Sequence, residues 1–306
     1  MLSLKIPTCK SSIVSLVVLA LFTVASGWVR QAGRGPGGRR IVTLNVIAHA
    51  PEGRQVTKED FDLYDSGTAQ EVESFSRLDA GSRIVLMVDD SSNLRAEPDA
   101  LKKAVDAVVS ELYADDQMMI VGYNESAEII EDMTPDLKAL EGASSKLTRK
   151  GFPNLFDALI AVTDSLSHQA KTGNEKLAII LISDGYDSES KTKFDDALRA
   201  LQNENIVVYA IQTTDRTRGA LLRDKPKPPA VLDLITTGTG GAILPFDKAN
   251  DAARTIADDL RKNWYRLVYI PSGINTINVR RLLLMSHDKN IELRTKGSHP
   301  SKYHSN

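Results

Sequence analysis

A chain of 306 residues, 42% hydrophobic and 25% charged, has the composition of a globular protein and is long enough for one large domain with additions, which excludes disorder throughout. Its 38 Lys and Arg against 40 Asp and Glu give a net charge of -2, so it lacks the broad basic field that sequence-independent nucleic-acid binding needs. One cysteine and 5 histidines without His-x-x-x-His spacing exclude a disulfide framework, an iron–sulfur site and the common zinc sites, and 6% aromatic residues offer no stacking platform for bases.

Residues 1–27 read as a secretory signal. Lys5 and Lys10 precede an apolar run from Ile13 to Ala25, and Ala25-Ser26-Gly27 supplies a small-residue cleavage site. The run falls short of the roughly 20 residues of a membrane-spanning helix. Cleavage near Gly27 would leave no cysteine and a secreted or periplasmic protein; the alternative is an uncleaved N-terminal anchor, the chain's one route to a membrane. Cys9 precedes the apolar run, so a lipoprotein signal does not fit. Residues 28–40, with Gly33, Gly35, Gly37 and Gly38 among four arginines, form a flexible basic linker.

The alternation in Ile41–Ala48, Phe61–Tyr64 and Gln70–Phe75, separated by Pro51-Glu52-Gly53 and Asp65-Ser66-Gly67, predicts a small three-stranded β unit over 41–80. Thr57 caps one helical turn ahead of Phe61. From Ile84 the pattern changes. Ile84–Val88, Leu177–Ile182 and Ile206–Ile211 are continuous apolar runs, the mark of strands buried on both faces. Between them, Leu101, Ala104, Val105, Val108 and Leu112 have helical spacing, as do Leu155, Ala158, Leu159, Val162 and Leu166, and Phe194, Ala197, Leu198 and Leu201. Met118–Tyr123 and Ala127–Ile130 are strands joined by Asn124-Glu125-Ser126. A short helix at Val231–Ile235, a short strand at Ala242–Pro245 and a helix from Ala252 to Trp264 complete a domain over 81–264. The predicted class is α/β, with a mostly parallel central sheet and helices on both faces. Residues 265–297 return to strands at Arg266–Ile270, Val279–Met285 and Ile291–Thr295, expected to pack with the N-terminal β unit, before a loose tail at 298–306. Arg223–Pro229 reads as a basic surface loop.

In such sheets ligands bind at the carboxyl ends of the strands. There the first buried strand ends in Asp89-Asp90-Ser91-Ser92-Asn93 and the second in Ser183-Asp184-Gly185, with the loop Gly151–Leu155 between them. Two carboxylates and a hydroxyl on strand ends make an oxygen-only cluster of the kind that suits Mg²⁺.

These residues resemble the metal-ion-dependent adhesion site of the von Willebrand factor type A domain. Its signature is Asp-x-Ser-x-Ser after the first strand, a Thr in a Gly-x-Thr-x-Leu-like loop, and Asp-Gly after the fourth strand. Asp89, Ser91 and Asp184-Gly185 match; Asn93 replaces the second Ser, and Pro153 occupies the expected Thr position. Val56–Gly67, Val72–Phe75 and Leu260–Pro271 are similar to the leading and closing segments of secreted bacterial VWFA-related proteins of the acidobacterial type, so the resemblance spans about 41–297. It implies a Rossmann-like core and a divalent cation whose shell a partner carboxylate completes. Here the metal ligands would be Asp89, Ser91, Asn93 and Asp184, and Mg²⁺ binding is expected to be weak because Pro153 has no side-chain oxygen. The other reading keeps Asp89 and Asp184 as loop caps and hydrogen-bond acceptors. Asp90, Asn154 and Asp157 are substitute oxygens or, in the plainer reading, turn and helix-start residues.

No Gly-x-Ser-x-Gly elbow, phosphate loop or dinucleotide loop is present, so the chain reads as a non-enzyme. The expected function is an exported, adhesion-like interaction module that binds a protein or cell-envelope polymer, with no nucleic-acid partner. The alternatives are a structural scaffold with a non-functional metal site and, behind it, an uncharacterised hydrolase.

Overall fold

The computed structural model describes residues 41–170, 174–220, 226–274 and 279–299; the expected signal segment, basic linker, residues 221–225 and residues 300–306 lie outside them. The chain opens with β1 (Val42–His49), β2 (Phe61–Asp65), β3 (Thr68–Gln70) and β4 (Val72–Arg77). It continues through β5 (Ser82–Asp89), α1 (Pro98–Ser110), β6 (Gln117–Tyr123), β7 (Ala127–Thr134), α2 (Leu137–Leu140) and α3 (Leu155–Gln169). Then follow β8 (Lys176–Ser183), α4 (Phe194–Asn203), β9 (Val207–Gln212), α5 (Pro228–Thr239), β10 (Ile243–Pro245) and α6 (Ala249–Asp258). A π-helical turn (Asp259–Asn263) leads into β11 (Trp264–Tyr269), β12 (Arg280–Ser286), β13 (Glu292–Thr295) and β14 (Ser298–His299).

Six strands form the central sheet in the order β10-β9-β8-β5-β6-β7, parallel except for β7. The apolar runs of β5 and β8 put them in the middle, where alternate residues feed opposite cores. Ile84, Leu86 and Val88 pack with Leu101, Val105 and Val108 of α1 and Ala252 and Ile256 of α6. Val85 and Met87 pack with α3, α4 and α5 through Leu159, Val162, Leu201 and Leu232. Helices therefore cover both faces, as the alternation of buried strands and amphipathic helices requires.

The two ends of the chain interleave. β13-β1-β11-β4 form one four-stranded sheet and β14-β12-β2-β3 another, sharing a core of Leu44, Val46, Phe61, Leu63, Leu267, Tyr269 and Leu282. The N-terminal segment thus contributes four strands split between two sheets rather than three in one. Ser66 and Gly67, with φ of 52° and 81°, form the tight turn that folds β3 back on β2.

Three boundaries differ from the sequence expectation. Trp264 starts β11 instead of ending a helix, because its pairing with Ile47 buries the indole against the central core. Ser298 and His299 are not loose; they pair with Arg281 and Arg280. Pro228 and Pro229 open α5 rather than closing a loop, a position where a missing N–H costs nothing.

Candidate functional site

β5 and β8 are adjacent and parallel, with Val88 opposite Ile182, so Asp89 at the end of β5 and Asp184 just after β8 emerge side by side. Both are fully buried. The Asp89 carboxylate accepts from the Ser91 backbone N–H (3.0 Å) and from the Ser91 hydroxyl, which folds residues 89–91 into a tight turn. Asp184 accepts from the Tyr186 N–H at 3.1 Å. Between them Gly185 has a φ of +84°, and a Cβ there would lie 2.3 Å from the Pro228 carbonyl oxygen, so only glycine fits this bend. Beneath the carboxylates the buried Tyr123 hydroxyl donates to Ser183 Oγ at 2.8 Å.

The remaining component comes from the neighbouring strand. β9 ends beside Ser183, and the loop after it carries Arg216 over the end of β8 to the end of β5. Its Nε donates to Asp184 Oδ2 (2.8 Å). One terminal nitrogen donates to Ser91 Oγ (2.8 Å) and Asn93 Oδ1 (2.6 Å). The other donates to Asp184 Oδ1 (2.9 Å) and to the Asp89 carboxylate. These contacts use all five N–H bonds of the guanidinium. The Arg216 backbone N–H also reaches Asp184 Oδ2, at 2.9 Å. The side chain is 6% exposed, and its guanidinium carbon sits 5.2 Å from the centre of the Tyr186 ring.

Burial works against the charge of Arg216, but Asp184 and Asp89 outweigh it and hold the guanidinium protonated above its ordinary range. Burial pushes Asp89 the other way. Its carboxyl titrates above the usual carboxylate value despite Arg216 and Ser91, with Asp184 adding to the rise. Two buried carboxylates thus face one guanidinium across the strand ends.

All four expected metal ligands, Asp89, Ser91, Asn93 and Asp184, therefore converge, but on a side chain. Mg²⁺ would need the same oxygens at about 2.0–2.1 Å, and the guanidinium fills the space between them, so these residues do not fit the ion while Arg216 is seated. Among the described residues, no group of three or more His, Cys, Asp and Glu is placed to hold a metal ion. Pro153 is buried and offers only its carbonyl, which accepts from the Ser188 N–H at 2.7 Å. The substitute oxygens turn away. Asp90 accepts from Thr148 and Arg149 backbone N–H groups, Asn154 bonds Glu125 and Glu189, and Asp157 accepts from Lys191 and Thr192.

Two arginines were not legible as functional residues. Arg216 lies in Asp215–Gly219, a polar turn with no motif; the one available signal was its place after a buried strand adjacent to β8. Arg149 donates to the carbonyls of Ser91, Leu94 and Ala96 at 3.3, 2.6 and 2.9 Å and so pins the loop that carries Ser91 and Asn93.

Residues 84–187 match the von Willebrand factor type A domain family. Among solved structures, one described as von Willebrand factor type A from Catenulispora acidiphila is 15% identical, covers 79% of this chain and 72% of its own, and superposes with a TM-score of 0.50. An aerotolerance-related membrane protein from Bacteroides fragilis is 17% identical over 60% of this chain and 100% of its own, with a TM-score of 0.46. BatB from Bacteroides thetaiotaomicron is 18% identical over 60% of this chain and 98% of its own, with a TM-score of 0.45. No curated protein matches the sequence.

Proposed function

We propose that the chain, through the region that matches the von Willebrand factor type A domain family, works as an exported interaction module whose binding face is the loop edge at the carboxyl ends of β5, β8 and β9. Domains of this type commonly mediate protein interaction, so the partner is a protein or a cell-envelope polymer rather than a nucleic acid. The observation that carries the reading is Phe152. It stands 55% exposed on the loop next to Ser92, whose backbone N–H bonds the Gly151 carbonyl at 3.1 Å. An exposed aromatic on a loop braced by buried charge has the make-up of an interface anchor. No catalytic role is assigned to Asp89 and Asp184, whose carboxylates both engage Arg216.

Export rests on residues 1–27, and an envelope-fraction protein starting near residue 28 is its check. The binding test is recovery of partners from envelope extract by the wild-type chain and by Phe152→Ala. Loss of at least tenfold in the recovered partner, with unchanged thermal stability, is expected. Full retention would move the interface elsewhere. The second reading, a scaffold domain, is favoured by the saturation of Arg216 within the protein. It requires that no envelope component be held specifically by either form.

A further inference from the structure

We propose that Arg216 is the resident cation of this site, a tethered guanidinium that replaces a divalent metal and makes the domain metal-independent. The proposal concerns the site itself and holds whether or not the loop edge binds the partner.

The donor accounting comes first. Mg²⁺ takes oxygen ligands in near-octahedral geometry, and the family resemblance implies one position left open for a partner carboxylate. Here the five guanidinium N–H bonds go to five of the six side-chain oxygens of Asp89, Ser91, Asn93 and Asp184, and the sixth, the other Asp89 oxygen, accepts from Ser91. No donor remains for an outside carboxylate, and a side chain 6% exposed leaves no route for one. A guanidinium within this ring also repels a second cation.

The arginine is held from its own backbone as well. Asp215 accepts from Thr217 N–H (2.8 Å), Thr217 Oγ1 (2.7 Å) and Gly219 N–H (3.0 Å), which closes the turn around it. Arg95 donates to the Asp215 carbonyl at 3.1 Å, and Arg95 pairs with Thr214 in a short bridge. The loop is thus tied both to its own turn and to the segment following Asn93. Pro153 fits the same picture: with a guanidinium in place, no further side-chain oxygen is required from that loop.

The experiment uses the full chain. Thermal unfolding is followed in chelator and in millimolar Mg²⁺ or Mn²⁺, with Mn²⁺ binding read independently by electron paramagnetic resonance. Wild type is expected to melt at the same temperature in every condition and to bind no stoichiometric Mn²⁺. Arg216→Ser removes the plug and leaves the oxygens in place. It is expected to melt lower in chelator and to regain roughly 5 °C at metal concentrations about 100 times Kd. Arg216→Ser with Asp184→Asn is expected to lose that response. One Mn²⁺ bound to wild type, and lost in Asp89→Asn, would overturn the proposal, because Arg216 would then give way to metal. A folded Arg216→Ser without any metal response would also overturn it, since the guanidinium would not occupy a cation position. If Arg216→Ser folds in neither condition, the wild-type Mn²⁺ measurement decides alone.

Discussion

An ammonium and a guanidinium carry the same charge, yet only the guanidinium presents five N–H bonds in a plane, and this site accepts all five. Lysine at position 216 would bring three donors to a point and leave buried acceptors unpaired. Each such loss costs about 1–3 kcal/mol, so Arg216→Lys is expected to lower stability by about 2–4 kcal/mol in urea unfolding. A loss below about 0.5 kcal/mol, the range of ordinary surface substitutions, would mean that charge alone holds the cluster. The acceptor half of this arrangement was readable from sequence, because Asp89, Ser91 and Asn93 follow one another on a single strand end and Asp184 precedes a glycine. The donor half was not. Arg216 comes from the loop after β9, and the parallel pairing that sets Gln212 of β9 beside Ser183 of β8 selects which loop meets Asp184. No local pattern encodes that choice.

At the scale of elements, legibility followed burial. Strands β5, β8 and β9 are buried almost throughout and appear in the sequence as unbroken apolar runs. Most strands of the flanking sheets mix buried with exposed positions, and β1 and β2 find partners from the opposite end of the chain, β11 and β12, a distance also spanned by the bonds of Tyr269 and Arg280 to Asp65. Those three residues form the polar centre of the paired sheets. The Tyr269 hydroxyl donates to Asp65 at 2.6 Å, Arg280 Nε donates to both its oxygens at 3.1 and 2.9 Å, and Asp65 and Arg280 are buried. Breaking a buried pair from one side strands a charge and costs about 3–5 kcal/mol, whereas replacing both partners by apolar residues is often close to neutral. Arg280→Ala is therefore expected to destabilise by about 3–5 kcal/mol. The double replacement Asp65→Leu with Arg280→Met should recover most of that loss, as measured by denaturant unfolding. A double variant as unstable as Arg280→Ala would show that the ion pair stabilises rather than merely tolerates its burial.

At the scale of the molecule, the central domain and the paired sheets are joined by a charged junction. Asp259, in the π-helical turn after α6, is fully buried and meets His49 of β1 at 2.8 Å and Arg294 of β13 at 2.7 Å. Burial alone would raise its carboxyl, but the hydrogen bonds and charge from His49 and Arg294 outweigh it and hold Asp259 below the usual carboxylate value of 3.8. A carboxyl whose folded pKa lies below its unfolded one stabilises the fold at every pH above the unfolded value. That stabilisation is lost as pH falls from about 4 through the folded value, because the native state must then accept a proton it resists. Asp89 has the opposite sign. Its raised pKa means that acid relieves the cost of its buried charge, so the acid limb of the whole protein mixes both effects. Subtraction separates them. Asp259→Asn leaves Asp89 untouched, so the stability difference between wild type and this variant isolates the junction. That difference is expected to be about 3 kcal/mol near neutral pH and to shrink steadily below about pH 4. The measurement is urea unfolding across this range. A difference that stays constant into acid would mean that Asp259 contributes as a hydrogen-bonding shape and not as a charge, and that the two parts of the molecule are held together by their apolar contact through Ile47 and Trp264.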